Sequence, residues 1–73
     1  MIELTLLTLL NNIATDFCAY RTKDHDVLKS VLLAYADSNS KYGPANVKKV
    51  IQTSSNIKVA AIATVLTKCP DKL

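Results

Sequence analysis

Apolar and polar residues follow a helical period in four segments of this chain. The first segment runs from Glu3 to Tyr20, and its apolar side chains cover about 220° of the helix. Six mostly polar residues share the remaining arc of about 100°: Thr5, Thr8, Asn12, Thr15, Asp16 and Ala19. A surface helix usually needs an apolar stripe only somewhat wider than ~100°. This helix is therefore predicted to be covered on two sides, and we expect a second chain to supply one cover. The candidate interface residues on this arc are Leu4, Leu7, Ala14 and Cys18.

The second segment, His25 to Asp37, carries one apolar face at helical spacing. Either Asp24 or Asp26 is predicted to cap it, because a short acceptor side chain satisfies the free amides of the first turn. Residues 37–42 are polar and predict a connection. Leu33 lies off the apolar face and is a secondary interface candidate. The residues of the face are Val27, Leu28, Val31, Leu32 and Tyr35.

The third and fourth segments span residues 44–68. Pro44 suits the first position of a helix that ends near Thr53, because its missing N–H would be unpaired there. The fourth helix is predicted to begin after Ser54 or Ser55 and to run to about Lys68. A strand is disfavoured there, because the apolar residues do not alternate with polar ones. One side is a strong apolar stripe (Val59, Ile62, Val65 and Leu66), and the other is built of small residues that allow close approach or a further interface (Ala60, Ala61, Ala63, Thr64 and Thr67).

These segments predict an all-α fold. We expect a single helical domain over residues 1–73, a compact bundle of four short helices, with a helical hairpin or helix-turn-helix-like unit at 44–68. The chain has 49% hydrophobic and 21% charged residues, which excludes a disordered tail. For so short a chain the gain from apolar burial and the cost of ordering nearly cancel, so a monomer is predicted to be marginal.

Charge separates the two halves of the chain. Residues 1–37 carry a net charge of −2 and residues 38–73 a net charge of +5. A basic half attracts anionic partners, although a solvated lysine face that keeps the protein soluble is the simpler interpretation. The basic residues of this half are all lysines, and arginine is what bidentate base contacts favour. If the unit at 44–68 binds nucleic acid, the candidate residues are Lys48, Lys49, Ser55, Asn56 and Lys58.

Catalytic, metal and cofactor sites are not predicted. The sequence Asp24-His25-Asp26 contains the only histidine, so no second imidazole completes a metal shell. No nucleophile motif or Gly-rich phosphate loop is present, and we expect neither enzymatic activity nor a cofactor. Cys18 and Cys69 lack CxxC spacing and are predicted to be reduced thiols in a cytoplasmic protein without a signal peptide or membrane span.

The leading hypothesis is a small non-enzymatic protein–protein interaction module. It would act as a regulator, inhibitor or adaptor through an apolar helical surface, and it is expected to self-associate; a chain of this kind would suit a phage or mobile element. The alternative is a small dimeric helix-turn-helix-like DNA-binding regulator. Salt dependence separates the two, because DNA binding releases counterions and apolar association does not.

Overall fold

The computed structural model describes residues 4–54 and 56–72. Four α-helices and one short 3-10 turn make up the described chain, and strands are absent from it: α1 (Leu6–Thr22), α2 (Val27–Tyr42), α3 (Pro44–Gln52), α4 (Ile57–Lys68) and the turn Pro70–Lys72. The predicted all-α bundle of four helices is confirmed. None of the described helices combines the length and hydropathy needed to cross a bilayer.

α1 lies at the centre of the bundle. Its cap is Thr5, whose side chain accepts a hydrogen bond from the backbone N–H of Thr8. The helix contacts α2, α3 and α4, so the two-sided cover predicted for its wide apolar arc comes from the same chain. Its predicted start at Glu3 lies outside the described residues. The buried side chains of α1 are Leu9, Leu10, Ile13, Ala14 and Phe17.

α2 begins at Val27, slightly after its predicted start at His25, and it ends later than predicted. Asp26 is the cap, with its Oδ1 accepting from the backbone N–H of Lys29 at 2.7 Å. Asp24 instead takes a positive φ of 67° in the preceding turn, a conformation that aspartate tolerates better than most residues. The predicted polar connection over 37–42 is wrong, because the helix continues until Gly43, whose φ of 91° ends it.

Small residues form the side of α2 that is buried. Ser30, Ala34 and Ser38 recur every four residues and are almost fully buried, which lets the backbones of α1 and α2 approach closely. Leu28 and Leu32 of the predicted apolar face point outward, with 69% and 61% of their surface exposed. The prediction that this apolar face packs inward is therefore only partly right, because the helix buries its small residues instead.

Enlarging a residue on the small side of α2 tests this packing. Ala34→Leu is expected to lower the free energy of unfolding by about 1–3 kcal/mol, because a fully buried site has no room for three more carbons. The matched control is Ala36→Leu, at an exposed position of the same helix, which is expected to change it by less than about 0.5 kcal/mol. Urea unfolding measures the free energy of unfolding of both variants. An equal loss of stability in Ala34→Leu and Ala36→Leu would contradict the close packing at Ala34.

α3 follows Gly43 directly and packs against α2 and α1. α4 begins after Asn56, whose Oδ1 accepts from the backbone N–H of Val59, so neither predicted serine is the cap. Ser54 accepts from the backbone N–H of Asn56, and Ser55 lies outside the described residues. The connection between α3 and α4 is short, but α3 packs on α1 and α2 while α4 packs on α1, so the two helices do not pair as the predicted hairpin or helix-turn-helix-like unit at 44–68.

A disulfide joins Cys18 of α1 to Cys69 at the end of α4. The prediction of two reduced thiols is wrong for this structure. α4 packs alongside α1, which brings the two Cα atoms to 6.0 Å, within the usual range for a disulfide. The 3-10 turn after Cys69 also packs on α1, where Arg21 Nε donates to the carbonyl oxygen of Lys72 at 2.7 Å.

Candidate interaction surface

Three large apolar side chains of α4 face away from the bundle. Val59, Ile62 and Leu66 lie within an arc of about 60° and expose 59%, 50% and 49% of their surface. The opposite side of α4 faces α1 with buried Val65 and mostly small, half-buried neighbours. The helix has therefore turned its small side inward and its apolar stripe outward.

Leu7 of α1 is another exposed apolar side chain, and it lies beside α4. It is 69% exposed and lines a shallow groove of about 300 Å³ together with Ala63 of α4. The rest of the groove is mostly polar, with Asn11, Thr67 and Lys68 along its edges. We call the exposed apolar residues on both helices the α4 surface: Leu7, Val59, Ile62, Ala63 and Leu66.

The structure separates the predicted interface residues into three groups. Leu7 is exposed and belongs to the α4 surface. Ala14 is fully buried and Cys18 is held in the disulfide, so neither can form the predicted interface. Leu4 and Leu33 are half-buried, and Leu4 packs against the core of its own chain.

Sequence analysis missed the outward orientation of Val59, Ile62 and Leu66. A stripe at helical spacing looks the same whether it faces a core or solvent. The signal that could have revealed the orientation was the opposite side, where alanines allow a close approach to α1. The predicted alanine face is divided, because Ala60, Ala61 and Thr64 are half-buried whereas Ala63 and Thr67 are exposed and line the groove beside Leu7.

A second exposed apolar patch lies on α2. Val27, Leu28 and Leu32 are 43%, 69% and 61% exposed. Lys29, next to Leu28 in sequence, is also exposed. We call the three apolar residues the α2 surface, and they serve below as a matched control for the α4 surface.

The candidate nucleic-acid residues are dispersed over α3 and the start of α4. Lys48, Lys49 and Lys58 are all exposed. Asn56 uses its side-chain oxygen to cap α4, so that oxygen is already engaged by the helix. Ser55 lies outside the described residues. The lysines are therefore accessible to an anionic partner, whereas the predicted asparagine contact competes with a cap.

The ionisable groups with shifted pKa values lie between α1 and α2. Tyr20 donates a hydrogen bond to Asp37 Oδ2 at 2.5 Å, and this bond is the main reason that the pKa of Tyr20 is raised. Burial, followed by repulsion from Asp37, raises the pKa of Asp16. His25 packs its ring against Tyr20, with 5.7 Å between ring centroids. The contacts of these residues connect elements of the bundle, and the described chain holds no cluster of three metal-ligating side chains.

Comparison of the chain with known protein families, with characterised proteins and with solved structures finds no match. The function is therefore inferred from the geometry and chemistry of the α4 surface alone.

Proposed function

We propose that the protein is a non-enzymatic interaction module that associates with a second copy of itself through the α4 surface. The observation that carries the proposal is the outward stripe of Val59, Ile62 and Leu66 on a helix whose small side packs inward. These residues have the three- and four-residue spacing of a helix–helix seam. Contiguous apolar groups at solvent are typical of interaction sites.

The spacing on α4 favours an antiparallel two-fold pairing of two copies. If the axis passes between Ile62 and Ala63, Val59 of one copy lies opposite Leu66 of the other, and the contact is self-complementary. Lys58 then lies opposite Thr67 of the second copy. A parallel pairing would instead place Lys58 beside Lys58, and α4 contains no acidic residue to neutralise that repulsion.

The size of the α4 surface sets the expected strength of association. A standard interface buries about 800 Å² per partner, and a single three-turn helix face with Leu7 supplies less than that. We therefore expect a dimer with a dissociation constant in the micromolar range.

A charge at the centre of the α4 surface tests the proposal. Ile62→Glu is expected to raise the dissociation constant of the dimer roughly tenfold or more, because pairing would bury two unpaired carboxylates. The free energy of unfolding of the Ile62→Glu monomer should change little, since Ile62 is half exposed. The matched control is Leu28→Glu on the α2 surface, which is expected to leave the dimer intact. Light-scattering mass across a dilution series measures the wild type and both variants.

Two results would contradict the proposal. One is a wild type that has the mass of one chain at every concentration up to the high micromolar range. The other is loss of the dimer in Leu28→Glu with retention in Ile62→Glu, which would assign association to the α2 surface. Whether the module serves as a regulator, inhibitor or adaptor depends on a partner beyond the second copy, and that partner stays a prediction.

The predicted cytoplasmic location also stays a prediction. Structural disulfides are rare in the cytosol and common in oxidising compartments. The Cys18–Cys69 bond therefore weighs against the location that the sequence predicts. Alkylation of free thiols in the protein taken directly from its own cells, followed by mass measurement, distinguishes the two states.

Nucleic-acid binding is the second candidate function, and the exposure of Lys48, Lys49 and Lys58 favours it. Binding through these lysines is expected to weaken steeply between low and physiological salt, as counterions are released from the phosphates. Lys48→Gln with Lys49→Gln is expected to weaken a gel shift on duplex DNA and to leave the dimer intact. A shift that is unaffected by salt or by these substitutions would exclude this candidate.

A further inference from the structure

We propose that the Cys18–Cys69 disulfide controls self-association, because reduction of this bond releases α4 from α1. The inference rests on the function proposed above and adds its regulation. The bond joins the last turns of α1 to the C-terminal end of α4, the helix that carries most of the α4 surface. No other covalent link holds that end of α4 in place.

The non-covalent attachment of α4 is thin. Val65 is its only buried side chain, and the neighbours that face α1 are mostly small. The hydroxyl groups of Thr64 and Thr67 donate to carbonyl oxygens of α4 itself, so they do not tie the helix to α1. Apart from the disulfide, the hydrogen bond from Arg21 to the carbonyl oxygen of Lys72 is the polar contact that holds this end of the described chain on α1. Elements with few buried contacts are the first to open locally.

The bond is also accessible to a reductant. Both cysteines are half-buried rather than fully enclosed. A thiolate of a dithiol reductant attacks one sulfur and forms a mixed disulfide, and the second thiol of the reductant then resolves it. The two electrons come from the dithiol, which becomes a disulfide, and Cys18 and Cys69 become thiols.

Release of α4 removes the α4 surface as a unit. Leu7 lies on α1 and the other members lie on α4, so release separates Leu7 from Ala63, with which it lines one groove. The undocked α4 has 12 residues, and so short a helix is marginal in water without tertiary contacts, so its exposed stripe is lost with the helix. The oxidised chain is then the associating form, and the reduced chain is the monomeric form. Val65 is the only member of the buried core cluster that lies on α4, and the other members lie on α1, α2 and α3.

Two measurements on the full chain test this inference. Light-scattering mass is compared for the oxidised wild type, the wild type in excess dithiothreitol, and the variant Cys18→Ser with Cys69→Ser. We expect the mass of two chains in the oxidised form and a twofold lower mass in the other two. Amide hydrogen exchange on Ile62→Glu, oxidised and reduced, reports docking of α4 without assembly. Protection in α4 is expected to fall at least tenfold on reduction, with α1 and α2 largely retained.

The results separate the two proposals. An oxidised wild type with the mass of one chain refutes the proposed self-association, and hydrogen exchange still decides whether reduction releases α4. A reduced chain that keeps the mass of two chains, or keeps full protection in α4, overturns the inference. Simultaneous loss of protection in all helices also overturns it, because the bond would then stabilise the whole fold and not the docking of α4 alone.

Discussion

Removing the Cys18–Cys69 bond is expected to lower the free energy of unfolding by about 4 kcal/mol. The bond closes a loop across a sequence separation of 51 residues, and so it removes much of the freedom of the unfolded chain. Small domains are stable by only about 5–15 kcal/mol, so the loss takes a large share of the total.

Urea unfolding of the oxidised wild type, the reduced wild type and Cys18→Ser with Cys69→Ser measures this loss. Cys18→Ala with Cys69→Ala is the control for the polarity of serine, and its midpoint should match that of the reduced wild type. If the free energies of unfolding of all the forms without the disulfide lie within about 0.5 kcal/mol of the value for the oxidised wild type, the chain does not depend on the bond for stability.

Truncation of Phe17 is the second large effect that we expect. Phe17 is buried on α1 among the core residues that α2, α3 and α4 enclose. Phe17→Ala should lower the free energy of unfolding by about 3–5 kcal/mol, through lost burial and the cavity left behind. Phe17→Leu fills most of that cavity and should cost clearly less.

Leu32→Ala is the matched control for Phe17→Ala. Leu32 is a large side chain that is mostly exposed on α2, so its truncation should change stability by no more than about 0.5 kcal/mol. Thermal or urea unfolding in a single buffer compares the three variants. A Leu32→Ala loss as large as that of Phe17→Ala would mean that the outer face of α2 is buried, and it would contradict the orientation of that helix.

The helices themselves could be predicted from sequence, whereas the direction in which two of them face could not. Helical periodicity placed four helices, and Pro44 and Asp26 marked two of the starts. Periodicity identifies a stripe, but the side that packs inward depends on how closely the neighbouring backbone approaches. In α2 and α4 the side with the small residues packs inward, because small side chains allow a close approach to α1.

The remaining errors have a common origin in long-range contacts. Nothing near Cys18 in sequence indicates Cys69, since the pairing depends on α4 returning alongside α1. The polar residues after Asp37 resemble a connection locally, yet Ser38 is buried against the core and Tyr42 packs on it. Within the α4 surface, Leu7 was predicted from the wide apolar arc of α1 and Ala63 from the small-residue face of α4, whereas Val59, Ile62 and Leu66 were not predicted.

The burial of Ser30, Ala34 and Ser38 determines which positions of α2 should tolerate amino-acid substitution. In most small domains the leucines and isoleucines resist substitution, and the alanines and serines vary freely. Here a scan of all substitutions should give the reverse ranking along α2, with bulk excluded at the three small positions and polar residues accepted at Leu28 and Leu32. Distant relatives of this chain would then share a pattern of small residues more faithfully than a pattern of hydrophobic ones.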